Sequence, residues 1–213
     1  MGRQFGGGRL QRALALTTAI ILVAFGVGAI VKGLDGRSTV SSSLKAERVT
    51  GEPFMSPDGI IARAKAFGFT DFEAPTCSVA SKAISSGADA RCFAQYMRID
   101  LLAATRGKTY ADMPSFVSKS GGLTDDFAKA KTFPNGQPMP NPDRAAWVTE
   151  TALTTALNTS YMAEQISLFG IVVGAALLLV GIALGGFGLS GVRVARPVKA
   201  RVAERQPATA MSA

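Results

Sequence analysis

The 213 residues contain no histidine, and this single absence excludes several kinds of chemistry. Two-His-one-carboxylate iron, histidine-ligated zinc, and serine or cysteine nucleophiles activated by histidine are all ruled out. Cysteine is scarce: Cys77 and Cys92 are the only two, and they do not form a C-x-x-C pair. No glycine-rich loop follows a strand pattern to cradle a phosphate. Gly6 to Gly8 belong to a basic N-terminal stretch, which reads as flexible chain.

Charge is also missing from two long runs. Ala13 to Val31 is 19 residues without a charged side chain, between Arg12 and Lys32. Gln165 to Val192 is 28 such residues, between Glu164 and Arg193. At about 1.5 Å rise per residue, each is long enough to cross a hydrocarbon core of about 30 Å. A cleaved signal peptide is the alternative for the first run, since Arg3, Arg9 and Arg12 precede it. That run is longer than the usual h-region of roughly 7 to 15 residues, and VKGLDG lacks a small-x-small cleavage site. Without an ionisable group inside either run, a proton relay or ion path through this chain alone is not expected.

The formal net charge of +8 sits in particular places. Residues 33–164 hold 14 Lys and Arg against 14 Asp and Glu, so the excess lies beside the two runs. Basic flanks of this kind set orientation rather than bind nucleic acid. The expected division is a cytoplasmic basic tail over 1–12, a first transmembrane helix over 13–32 and an extracytoplasmic domain over 33–164. A second transmembrane helix over 165–192 and a second cytoplasmic basic tail over 193–213 follow. The localisation expected is the cell membrane, multi-pass, with both termini cytoplasmic.

Residues 33–164 are enough for a small domain with its own core. Both cysteines fall there, on the oxidising side, where a structural disulfide closing a loop of about 15 residues is expected. Ser56, Pro57 and Asp58 read as cap, first helical residue and acidic first turn, with Gly68 as the stop. A helix over 77–86 and another over Ala90 to Thr105, capped by Asp89, follow, the second placing Phe93, Tyr96, Met97, Leu101 and Ala104 on one face and ending at Gly107. The disulfide would tie these two helices together. Residues 114–142, rich in proline and glycine, read as an irregular surface segment, and no hairpin signal stands out. From Asn141 and Pro142 the chain runs to Phe169 without glycine or proline, predicting one helix that rises as a stalk and merges into the second span. Residues beyond Arg37 extend the first span as its partner.

The spans hold small residues at four-residue spacing: Gly170 with Gly174, Gly181 with Gly185, and Ala24 with Gly28. Such spacing lets backbones approach where hydrophobicity drives no association, and more than one glycine face points to a further membrane partner. Carboxylate pairs such as Asp125 with Asp126, or Asp71 with Glu73, read as solvated surface. The triplet Asn158-Thr159-Ser160 matches a glycosylation signal but falls on a predicted helix near the membrane.

The stretches CFAQYMRIDLLAATRGKTYADMP, NPDRAAWVTETALTTALNTSYMAEQISLFGIVVG and APTCSVASKAISSGADARC closely resemble an uncharacterised family of actinobacterial membrane proteins with two transmembrane helices. The likeness covers about Leu44 to Leu184. Members often carry the label aromatic ring-opening dioxygenase, which a chain without histidine contradicts, because extradiol cleavage needs histidine ligands for iron. A histidine commonly stands in the family where this chain has Asp100, so no role for that residue carries over. The resemblance implies a plasma-membrane setting and no activity.

The expected class is thus an all-α membrane protein. Two antiparallel transmembrane helices, the second extended as a stalk, carry a small disulfide-tied helical extracytoplasmic domain. The expected function is that of a non-catalytic accessory or scaffold subunit of a larger bacterial cell-membrane complex, respiratory or envelope. It would have no cofactor or metal, would contact the lipid bilayer, other membrane subunits or further copies of itself, and would bind no nucleic acid. The alternative is an extracytoplasmic binding or sensing module with a pocket lined by Tyr96, Met97 and Phe116.

Overall fold

The computed structural model describes residues 7–190; of the basic tails expected over 1–12 and 193–213, residues 1–6 and the whole of the second lie outside the described residues, while residues 7–12, expected as flexible chain, are helical. Two long helices frame the rest: α1, Gly7–Ala46, and α4, Pro142–Ser190. Each contains an 18-residue window of mean hydropathy 2.5 or 2.6, of which only 11% is buried. Both are therefore long and apolar enough to cross a membrane, and their apolar side chains are not used to fill a core. Ile20, Phe25, Val31, Phe169, Leu179 and Phe187 are among the large side chains left exposed.

Glycine sets how closely α1 and α4 approach. A Cβ at Gly26 would stand 2.8 Å from the Gly174 carbonyl oxygen, one at Gly33 2.6 Å from that of Ser167, and one at Gly181 3.1 Å from that of Ala19. Partners descend along α4 as they ascend along α1. Two helices can pack this tightly because the side chains that would separate them are absent. Above the apolar run, α1 continues to Ala46 and ends where Arg48 takes a positive φ of 53°.

The remaining elements sit on this pair. Helix α2, Pro57–Ala66, starts as the sequence predicts, with the Ser56 hydroxyl accepting from the Gly59 N–H at 3.2 Å and Pro57 opening the first turn. Helix α3, Gly87–Ala104, packs between α2 and α4. The core joins Ile60 of α2, Tyr96, Cys92 and Ile99 of α3, and Val79 and Ile84 of the connecting chain to Leu44 of α1, with Leu157 of α4 packed against it. The small domain has no core separate from the long helices.

Two elements differ from expectation. Residues 77–86 form no helix: the chain turns at Ala80–Ser81, where Ser81 has a φ of 55°, and pairs on either side with residues 49–55, with Val79 N–H donating to Met55, Gly51 N–H to Lys82 and Ile84 N–H to Val49, all at 2.9–3.0 Å. The buried pair Val79 and Ile84 lies five residues apart, a spacing that a helix does not place on one face. A Cβ at Gly51 would collide with the Val79 carbonyl, so glycine is what admits this pairing. The cap of α3 is accordingly Ser86, whose hydroxyl accepts from Asp89 N–H at 3.1 Å, and not Asp89. Residues 114–142 are also more ordered than a plain connection. Strands β1, Phe116–Val117, and β2, Leu123–Thr124, pair antiparallel, and single bridges join Phe116 to Pro140, Ser118 to Ala130 and Thr132 to Pro138. Gly121 and Gly122, at φ of 90° and 75°, make the turn. The fold is mostly helical with this one small β element among the described residues.

Candidate functional site

The chemistry-bearing side chains collect where α3 lies along α4. At the lower end, Gly87 meets the backbone of Ser160 and Tyr161, where a Cβ would stand 2.8 Å from the Tyr161 Cα. Glu164 lies beside it. Its Oε2 accepts from the Gly87 N–H at 2.5 Å, and its Oε1 pairs with Arg37 of α1 at 3.3 Å. The first N–H groups of a helix have no partner inside the helix and carry its positive dipole end, so a carboxylate there is doubly favourable. One side chain therefore ties α1, α3 and α4 together just above the apolar run.

At the upper end lies Glu150, which is 5% exposed. Its Oε2 pairs with Arg98 of α3 at 3.2 Å, while Oε1 is buried with no hydrogen-bond partner among the described residues. Burial pushes this carboxyl above the ordinary glutamate range, against the pull of Arg98 and the Thr151 hydroxyl. Arg98 in turn lies over the Trp147 ring at 4.8 Å, and Arg91, one heptad earlier, lies over Tyr161 at 4.6 Å. Such stacking orients a guanidinium without neutralising it.

Two open grooves flank this contact. One, of about 620 Å³, is walled by Arg91, Gln95 and Arg98 of α3, Thr154 and Asn158 of α4, and residues 73–76. The disulfide between Cys77 and Cys92 holds that third wall, and the buried Tyr96 hydroxyl donates to the Cys77 carbonyl at 2.6 Å. The bridge thus ties an extended loop to α3, not one helix to another. The other groove, of about 550 Å³, has Arg63 paired with Asp100 beside Phe54, Met97 and Glu150. Asp100 is therefore occupied by an ion pair.

The three residues expected to line one pocket are separated. Tyr96 is fully buried in the core, Met97 lines the groove of Arg63 and Asp100, and Phe116 lines a third groove with Tyr110 and Arg144. The carboxylate pairs serve local structure or solvent. Asp125 accepts from Ser115 N–H at 2.8 Å, Asp126 caps the turn Phe127–Lys129, and Asp71 and Glu73 are exposed. Among the described residues no group of three or more His, Cys, Asp and Glu is placed to hold a metal ion. Asn158 is an exposed residue in mid-helix, and the Thr159 and Ser160 hydroxyls donate back to Thr155 and Ala156.

The spans' small residues divide between two faces. Gly174 and Gly181 meet α1 closely, while a Cβ at Gly170 or Gly185 would stand at an ordinary contact distance, 3.8 Å from the Ala29 oxygen and 3.6 Å from the Ala19 Cβ. Ala24 is exposed, and a Cβ at Gly28 would meet nothing within 4 Å. On α1 the close approach is made instead by Gly26 and Gly33, which the four-residue pattern passed over because their spacing is seven. Sequence reasoning also missed Glu150 and Glu164. A usable signal existed for the first, since it is the one charged residue in 145–163.

No family model, curated protein or solved structure matches this chain.

Proposed function

We propose that this chain is a non-catalytic accessory subunit of a bacterial cell-membrane assembly. In this reading α1 and α4 cross the bilayer as an antiparallel pair, both termini are cytoplasmic, and the α2–α3 domain is held outside as a rigid platform for a partner. The carrying observation is that the two apolar windows are only 11% buried, in helices that run on into a folded domain. Side chains exposed in that way are stable in lipid and costly in water. Support for a platform comes from how charge is used: Glu164, Glu150, Asp100 and Asp89 are all engaged in ties to neighbouring segments. The reading goes with membership of the two-span actinobacterial family that the sequence resembles, without that family's dioxygenase label.

Purification from native membranes in mild detergent tests it. A different chain in stoichiometric amount is the expected result, and recovery of this chain with no other protein would overturn the accessory role.

A second reading, an extracytoplasmic binding module, is favoured by the groove of about 620 Å³ with Arg91 and Arg98 aligned on one face. It calls for an anionic ligand whose binding is lost in Arg91→Ala.

A further inference from the structure

Above the apolar run, α4 leaves an unusual surface open. Between Ala145 and Ala163 the only charged residue is Glu150, and it is buried. The corresponding part of α1 behaves as a water-exposed helix normally does, with Lys32, Asp35, Arg37 and Lys45 all exposed. On α4 the hydroxyls of Thr149, Thr155 and Thr159 are taken up within the helix, donating to the carbonyls four residues earlier at 3.1, 2.7 and 2.8 Å, and Asn158 is exposed beside them.

The exposed residues fall in a regular order. Val148, Ala152, Thr155, Thr159, Met162 and Ile166 alternate at spacings of four and three, and all six are exposed. The buried Glu150 and Thr154, covered from the α3 side, lie on the opposite side of the helix. The same spacing continues without a break into the apolar run at Phe169, which is 69% exposed. A stripe of apolar and small residues at this spacing is the pattern of a left-handed helix-pairing seam. Lipid accounts for its lower part. Lipid does not account for the part above Glu164.

We infer that this outer face of α4 is a self-association seam, on which the α4 of a second copy packs in parallel about a two-fold axis normal to the membrane. The inference rests on the membrane-spanning reading above and names one partner within the assembly. Three arguments select a second copy. Every copy inserted in one orientation presents its stripe at the same height, so equal residues meet equal residues. A two-fold interface requires a self-complementary patch, and a charge-free face is one, because no like charges meet across it. Contact along α4 from about Val148 to Phe187, roughly 60 Å of helix about 10 Å wide, buries on the order of 1,200 Å² in total, the lower bound for a stable specific interface.

Both native cysteines are in the disulfide and none is free, so an introduced cysteine reports on its own position alone. Single cysteines at Ala152, Thr155, Thr159 and Met162, and at the exposed off-stripe positions Ala146 and Leu153, are to be oxidised in native membranes of cells producing the full chain. The inference expects dimers of twice the chain mass from the first four and none from the last two. Monomers throughout would overturn it, as would equal cross-linking at all six positions. Cross-linking to a chain of different mass would overturn the second copy while leaving the accessory reading standing, whereas dimers without a distinct co-purifying chain would do the reverse. A charge on the seam, Thr159→Arg, should weaken the detergent-solubilised dimer by about tenfold or more, equivalent to ~1.4 kcal/mol. An intact Cys77 to Cys92 bridge in that variant separates loss of pairing from loss of fold, and an unweakened dimer would count against the inference.

Discussion

Above their apolar runs, α1 and α4 solve the same problem in opposite ways. The upper part of α1 has exposed charges and contributes Val40 and Leu44 to the core of the domain. The upper part of α4 has no exposed charge between Ala145 and Ala163; one side is committed to α3 through Glu150, Trp147, Tyr161 and Glu164, and the other is bare. The difference teaches that α3 is held chiefly by α4, while α1 reaches the domain through Val40 and Leu44 near its end. A water-facing helix keeps its charges where nothing is to cover it, since desolvating an unpaired charge is costly.

That contrast can be tested from its strongest element downward. Removing the disulfide with Cys77→Ser and Cys92→Ser together should cost about 2–4 kcal/mol, seen as a lower thermal midpoint by circular dichroism in detergent. The loss should fall on the α2–α3 domain and spare the α1 to α4 pairing. An unchanged midpoint would mean that the Tyr96 hydroxyl bond and the pairing of Val79 with Met55 hold the loop by themselves.

Next in size is the close approach of the two helices. Gly174→Val should cost about 1–3 kcal/mol by overpacking, because a Cβ there would stand 2.7 Å from the Gly26 oxygen. Gly28→Val, into open space, should change stability by less than about 0.5 kcal/mol. Equal effects from the two would show that α1 and α4 do not meet on the face described.

Glu164→Ala should cost about 1–3 kcal/mol, since it leaves a part-buried Gly87 N–H without its acceptor and Arg37 without its partner. Thr159→Ala, one turn above on the bare side, removes only a hydroxyl bonded within its own helix and should be near neutral in the monomer. Amide hydrogen exchange at the start of α3 would read this difference directly.

The smallest effects concern pH and have opposite signs. The folded state holds the proton of Glu150 more tightly than the unfolded chain does, because burial raises that carboxyl above its ordinary range. Its contribution to stability is therefore present at acid pH and declines as pH rises through the folded value. Burial also pushes the Asp89 carboxyl up, but Lys82 at 2.5 Å and the Ser86 hydroxyl outweigh it and leave the group below its ordinary range. Its contribution is present above the ordinary range and is lost as pH falls through the folded value. Glu150→Gln should flatten the decline on the neutral side, and Asp89→Asn the loss on the acid side. Unfolding midpoints measured across pH for both variants check the signs; identical profiles would remove either carboxyl from the balance.

Much of this architecture was legible in the residues, and the failures have physical causes. The capping of α2 at Ser56 and the start of α4 at Pro142 were legible because each rests on neighbouring residues: the Asn141 side-chain oxygen, for example, accepts from Asp143 N–H at 3.0 Å. Residues 77–86 were misread because Ala, Ser and Lys permit a helix locally, whereas pairing with residues 49–55 decides otherwise. The strands at Phe116 and Leu123 are two residues long, too short for an alternating pattern to declare itself. Of the candidate site, the cysteine pair could be read from its scarcity and spacing, but the meeting of Glu164 with Gly87 could not, since 77 positions separate them.

Composition and order alone determined that two stretches are long and apolar enough to cross a membrane, that they enclose a charge-balanced domain, and that histidine chemistry is excluded. Those properties follow from hydropathy, charge and residue type, which need no partner. Tertiary structure decided which glycines face α1, which carboxylate is buried without a full set of partners, and which side of α4 is left bare. These are relations between surfaces distant in sequence, and packing two helices on one axis is what fixes which surfaces are covered and which remain open.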